Sequence, residues 1–225
     1  MGRCRTIIIA AFLASSTAVR AAESDIPAAP SFENVATSSI KQVLRELGYN
    51  VEMVKTTPPL VLGQIIETRR GSESLQTIEL KCGSMGAWRV GEERDEAYLV
   101  AGLCDLRSEL TPEILATATQ TQNRMIEMLL KGTPKGNVSM LAEVEPKPVP
   151  LGTSLEGEYR GIILGGHGLW VLPTLIARAA DGRRAIVVQS HTSSCEVRPT
   201  SPLCSGQEEW LQRIALKVAE GLRFN

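Results

Sequence analysis

Apolar positions in the last third of the chain recur first at a period of two and then at a period close to 3.6. Tyr159 to Leu164 reads as an apolar strand, Gly165-Gly166-His167-Gly168 as a turn, and Leu169 to Ala179 as the returning strand. Asp181-Gly182 turns the chain again, and Ala185 to His191 completes a three-strand meander. Asp-Gly between two β-rich runs predicts a type I′ turn, which needs positive φ at both central residues. From Gln207 to Phe224 the period changes, and Trp210, Leu211, Ile214, Val218 and Leu222 line one face of a helix. Ser205 and Glu208 stand three apart ahead of that stripe, the spacing of a capping box.

The same two periods order the rest. Ile40, Val43, Leu44 and Leu47 predict a helix starting near Thr37 or Ser38 and closed by Gly48. Tyr49 to Lys55 follows as a short strand stopped by Thr57-Pro58-Pro59, and Leu60 to Glu67 as a strand whose far end emerges at Thr68 to Gly71. Leu75 to Cys82 alternates, with Thr77, Glu79 and Lys81 on the wet face, as in an antiparallel sheet. Glu92 to Glu96 reads as a charged hairpin loop and Ala97 to Leu103 as the partner strand of Leu75 to Cys82. Thr111, Pro112 and Glu113 carry the start signals of a second helix with Ile114, Ala118, Thr121, Met125, Met128 and Leu129 inside, ended by Lys131-Gly132. Val138 to Val144 alternates as a strand. Pro146-Lys147-Pro148-Val149-Pro150 reads as a stiff extended connector.

The fold class expected is α+β: an antiparallel β-sheet with amphipathic helices packed on its faces, an α/β sandwich with two disulfides. Its parts are a signal peptide over 1–21, a flexible leader over 22–36, a first α+β half over 37–145, a Pro-rich connector over 146–152, and the meander plus helix over 153–225. The two halves share the order strand, strand, strand, helix, and each holds two cysteines. Without residue identity between them, one compact domain is preferred to an internal repeat.

Composition changes this picture mainly at the N-terminus. Arg3 and Arg5 precede the short apolar run Thr6 to Ala14, and Val19-Arg20-Ala21 offers a peptidase site. That run is about half the length of a membrane-spanning helix. An uncleaved N-terminal anchor is the competing reading. The chain carries 24 basic and 25 acidic residues; without Arg3, Arg5 and Arg20 the balance is 21 to 25, a net charge of −4. With no Lys/Arg block, nucleic acid is a poor partner. The chain is expected to be periplasmic or secreted, with no transmembrane segment after cleavage.

Cys82, Cys104, Cys195 and Cys204 follow the leader, and an even count in an exported chain implies disulfides. Four cysteines permit three connectivities. Cys82–Cys104 and Cys195–Cys204 are favoured because each pair lies within one local unit. C-x₂₋₄-C spacing is absent, so a zinc site is the weaker reading, and no C-x-x-C redox pair exists.

Histidine is confined to His167 and His191. Gly166, His167, Gly168 and Trp170 form a candidate ligand-contacting loop, against which stands a turn that needs glycine only for its backbone. His191 could join them if strand one ends and strand three finishes at the same rim. It cannot be activated by Ser190, because adjacent strand residues point to opposite faces. Glu143 and Glu145 could pair on a strand edge, but an exposed edge explains them as well. No catalytic residue, metal or cofactor is assigned. The function expected is that of a non-enzymatic binding, assembly or accessory protein with a protein partner in the cell envelope, acting through protein or small-ligand contacts. One alternative is a small hydrolase or metal-assisted enzyme centred on His167 and His191. Another is an immunity or inhibitor protein, whose acidic Glu92 to Glu96 loop would suit a basic target.

Overall fold

A computed structural model describes residues 30–92, 95–106, 116, 117, 119–121, 124, 146–152, 154–164, 170–192, 195 and 200–224, with 63–69, 73, 75, 162–164, 170 and 171 described by their backbone. The strands are β1 (Val51–Val54), β2 (Leu60–Arg69), β3 (Ser72–Leu80), β4 (Cys82–Glu92), β5 (Asp95–Asp105), β6 (Lys147–Pro150), β7 (Glu156–Leu164), β8 (Trp170–Arg178) and β9 (Arg184–Thr192). Seven of them form one antiparallel sheet in the order β1-β4-β5-β9-β8-β7-β6. The remaining two, β2 and β3, pair with each other as a separate hairpin.

Two helices, α1 (Phe32–Glu46) and α2 (Gln207–Leu222), lie against the same face of the sheet. Strand alternation explains why. Ala97, Leu99 and Ala101 of β5, with Ile186 and Val188 of β9, turn one way and meet Ile40, Val43 and Leu44 of α1 and Leu211, Ile214 and Val218 of α2. Trp88 of β4 is buried among them, its indole N–H donating to Thr37 Oγ1 at 3.0 Å. Val100, Cys104, Ile176 and Val187 turn the other way, under Leu60, Leu62 and Leu80 of the β2–β3 hairpin. Among the described helices, α1 and α2 thus share one face, and the opposite face is covered by the hairpin. Residues 116, 117, 119–121 and 124 are helical, within the second helix expected from sequence. The rest of that helix, the strand over 138–144 with Glu143 and Glu145, and the signal peptide lie outside the described residues.

Several local expectations change. α1 begins at Phe32, a turn before Thr37, because Ser31 caps it by accepting from the Asn34 N–H at 3.3 Å. Residues 32–36, placed in the leader, belong to this helix, with Phe32, Val35 and Ala36 buried. The partner of β5 is β4, not Leu75 to Cys82. Glycines at 83, 86 and 91 dilute the apolar alternation of β4, and Leu75 lies instead on β3, facing Ile66 of β2. The proline run is not a connector but the edge strand β6, paired with β7. Prolines at alternate positions all turn their donor-less nitrogens away from β7, so the ladder survives and the outer edge cannot template another strand. At Asp181-Gly182 the turn is not type I′. Gly182 has φ 64°, but Asp181 is not among the positive-φ residues. Its carboxylate instead accepts from the Arg183 and Arg184 N–H groups at 2.8 and 3.2 Å. The capping box at Ser205 does not form either. The N-cap of α2 is Gly206 at φ 73°, and the Ser205 hydroxyl donates to the Ser201 carbonyl.

Both favoured disulfides are present. Cys82–Cys104 joins directly opposite residues of β4 and β5, with Cα atoms 4.1 Å apart. Gly102 makes room for it, since a Cβ there would lie 2.8 Å from Cys82 Sγ and from Leu60 Cδ1. Cys195–Cys204 braces the approach to α2. Among the described residues, no helix is long and apolar enough to cross a membrane.

Candidate functional site

The register of four neighbouring strands sets side chains in a line. Glu52 of β1 pairs with Arg89 of β4, Arg89 with Tyr98 of β5, and Tyr98 with His191 of β9. Because Ala97 and Leu99 face the helices, Tyr98 faces the opposite side, and its cross-strand partners share that side. The row crosses the sheet beside the buried cluster under the hairpin. Tyr98 is 42% exposed, one of two large hydrophobic residues in that condition among the described residues, the other being Met53.

The row is held by charge. Arg89 Nη2 donates to Glu52 Oε2 at 2.8 Å, and Arg89 Nε lies 3.8 Å from Glu96 Oε1. Glu96 is two residues before Tyr98 on the same face, and its hydrogen bond to the phenol pushes the Tyr98 pKa up, with loss of solvation and the carboxylate charge adding to the effect. Two carboxylates flank one guanidinium, so this aromatic patch is mildly acidic.

At the inner end of the row, His191 is half-buried, and burial pushes its pKa down, keeping the ring neutral near pH 7. Its Nε2 lies 3.2 Å from Gln189 Oε1. The Gln189 orientation follows from its other partners. Its amide nitrogen donates to the Val61 carbonyl and to Thr174 Oγ1, both at 2.7 Å, and its oxygen accepts from the Val61 N–H at 3.3 Å. The oxygen therefore faces His191, which must donate from Nε2 and carry its lone pair on Nδ1. Fully buried, the Gln189 amide serves Val61 as a neighbouring strand's peptide would, fastening β2 to the sheet.

Of the residues singled out by sequence, His191 enters this row. Trp170 opens β8 opposite Leu164, which ends β7. The antiparallel ladders put Leu164, Trp170 and the C-terminal end of β9 at one rim. Gly166, His167 and Gly168 lie outside the described residues, and so does any pairing of His167 with His191. Among the described residues, no group of three His, Cys, Asp or Glu side chains is placed to hold a metal. Glu52, Arg89, Tyr98 and Gln189 were not singled out by sequence reasoning. The available signal was Tyr98 itself, an aromatic out of phase with Ala97, Leu99 and Ala101.

Compared with known proteins, the chain matches no family model, no curated protein and no solved structure.

Proposed function

We propose that the protein is an exported binding, assembly or accessory factor, periplasmic or secreted, that works by contact and uses the Glu52–Arg89–Tyr98–His191 row as its recognition surface. The observation that carries this reading is the exposed Tyr98 ring at the centre of a row fixed by three strand ladders. Tyr and Arg supply a disproportionate share of binding energy at protein interfaces, and side chains already held in place lose less entropy on docking. The excess carboxylate favours a partner with a basic surface, which keeps an immunity or inhibitor role within this reading. The hydrolase or metal-assisted alternative rests on the His191 Nδ1 lone pair, which the Gln189 clamp leaves open.

Site-specific photo-crosslinking tests the proposal. A benzophenone side chain is placed at Tyr98 of the full chain and, as a control, at the exposed Glu220 of α2, in the producing cells. The expected result is a discrete protein adduct from position 98 that position 220 does not give, with Tyr98→Ala weakening the captured interaction roughly tenfold or more. No adduct at 98, or the same adducts at both positions, would overturn it.

A further inference from the structure

The two edges of the seven-stranded sheet are finished differently. At one, the alternating prolines of β6 remove the outward donors. At the other, β1 holds no proline, and its ladder shows which backbone groups look outward. The Gly91 N–H donates to the Asn50 carbonyl at 3.0 Å. Residues that bond to the neighbouring strand alternate with residues that do not, so Asn50, Glu52 and Val54 turn their backbone toward β4. Val51 and Met53 therefore direct their N–H and C=O groups away from it. Among the described residues, nothing hydrogen-bonds to either backbone on that side. The edge is reachable from solvent: Met53 is 41% exposed and the Glu52 side chain 70%.

Side chains on β1 divide between the two faces. Val51 and Met53 lie on the helix side, Met53 opposite Trp88, whereas Glu52 lies on the hairpin side and begins the row that runs through Arg89 to Tyr98. A strand laid outside β1 would lengthen that row by one residue, directly across from Glu52. Opposite charges across such a pair stabilise it and like charges oppose it. Arg89 is already shared between Glu52 and Glu96, so the complementary residue at the new position is a Lys or Arg. A second copy of this chain fits poorly. Antiparallel pairing of two β1 strands centred on Glu52 sets carboxylate against carboxylate, and pairing centred on Met53 sets each Glu52 against a valine. We infer that β1 receives an extended segment of the partner as an eighth, antiparallel strand, with a basic residue across from Glu52 and apolar residues on either side of it. Val51 and Met53 supply the main-chain hydrogen bonds, and the Glu52 pair sets the register. Strand addition builds on the reading of the Tyr98 row as a recognition surface and gives the form in which the partner meets it.

The probe is the peptide acetyl-Thr-Thr-Val-Lys-Val-Thr-amide, whose lysine falls across from Glu52 and whose valines fall across from Val51 and Met53. A control peptide carries glutamate in place of the lysine. Both are titrated into the oxidised full chain and followed by amide NMR. Saturable binding of the lysine peptide is expected, with slowed hydrogen exchange at Val51 and Met53 and roughly tenfold weaker binding of the control. Glu52→Lys should reverse that preference. Met53→Pro copies the device of β6 at a nitrogen that faces outward, keeps the β1–β4 ladder, and should weaken the lysine peptide roughly tenfold or more. If Met53→Pro does not fold, the Glu52→Lys reversal decides alone. Failure of the lysine peptide to bind, binding that leaves exchange at Val51 and Met53 unchanged, or a preference that survives Glu52→Lys would each overturn strand addition. Met53→Pro is also combined with the benzophenone at position 98 in the producing cells, where loss of the adduct is expected. An adduct that persists undiminished would overturn strand addition and leave the row reading standing. Peptide binding at the edge with no adduct at position 98 would support strand addition and overturn the row reading.

Discussion

Replacing Gln189 by Leu removes one side chain and leaves four groups to find new partners. Thr174 Oγ1 retains its own donation to the Leu172 carbonyl at 3.0 Å, and half-buried His191 can turn to water. Val61 is different. Its N–H and C=O face the sheet interior, away from β3, and Gln189 satisfies both. A buried peptide group left unpaired costs about 1–3 kcal/mol, so the two together cost about 4 kcal/mol. Leucine returns about 1 kcal/mol through its extra apolar surface, which leaves a net loss of about 3 kcal/mol. Urea unfolding of wild type and Gln189→Leu, both oxidised and at one pH above 7, measures the difference from midpoint and slope. Because the clamp acts on β2, hydrogen exchange at Leu60 to Leu62 should accelerate more than exchange in β9 itself. A loss below about 1 kcal/mol, with unchanged exchange in β2, would refute the view that this amide fastens the hairpin.

Three further outcomes follow from the geometry. Ile214→Asp or Val218→Asp places an unpaired carboxylate at a fully buried position of α2 and should cost more than about 4 kcal/mol, abolishing the cooperative melt; a normal melt would contradict helix-on-sheet packing. In the chain-entropy model, losing Cys82–Cys104, with a sequence separation of 22, costs about 3.4 kcal/mol, and losing Cys195–Cys204, with a separation of 9, about 2.6 kcal/mol. Serine pairs at each bridge should therefore lower Tm in that order, and the reverse order would contradict the loop-length account. Burial lowers the folded-state pKa of His191, so between that value and the unfolded value near 6.5 the unfolded chain binds more protons. Stability from this group is present above about pH 6.5 and declines as pH falls through that window. His191→Asn should flatten the decline, and an unaltered slope would assign it to other groups.

How much of this could be read from sequence depended on whether apolar period and turn chemistry agreed. In β7, β8, β9 and α2 they did: continuous Ile, Leu and Val runs between glycine turns became the meander, and the Trp210-Leu211-Ile214-Val218 stripe became the buried face. β4 was hidden because a strand that must pass a disulfide and the large Trp88 ring uses glycine where a pattern search expects valine. A Cβ on Gly86 would lie 2.5 Å from that ring. β6 was hidden because prolines signal a linker unless their alternation is noticed. The cysteine pairing was legible because each bridge is local. The Glu52–Arg89–Tyr98–His191 row was not, since it joins residues from four strands through registers that no single stretch of chain specifies. His191 could be nominated as scarce chemistry, but its clamp to Gln189 and Val61 depends on β2 folding across the sheet, a contact 128 residues away.

We propose an exported body, braced by two cystines, that works by recognition. Intact-mass measurement of the protein recovered from its producing cells, denatured in iodoacetamide without reductant, tests export and bridging together. The expected mass is that of a chain cleaved at the Val19-Arg20-Ala21 site with no alkylation on Cys82, Cys104, Cys195 or Cys204. A chain that still carries residues 1–21 and gains five carbamidomethyl groups, the one on Cys4 included, would contradict it.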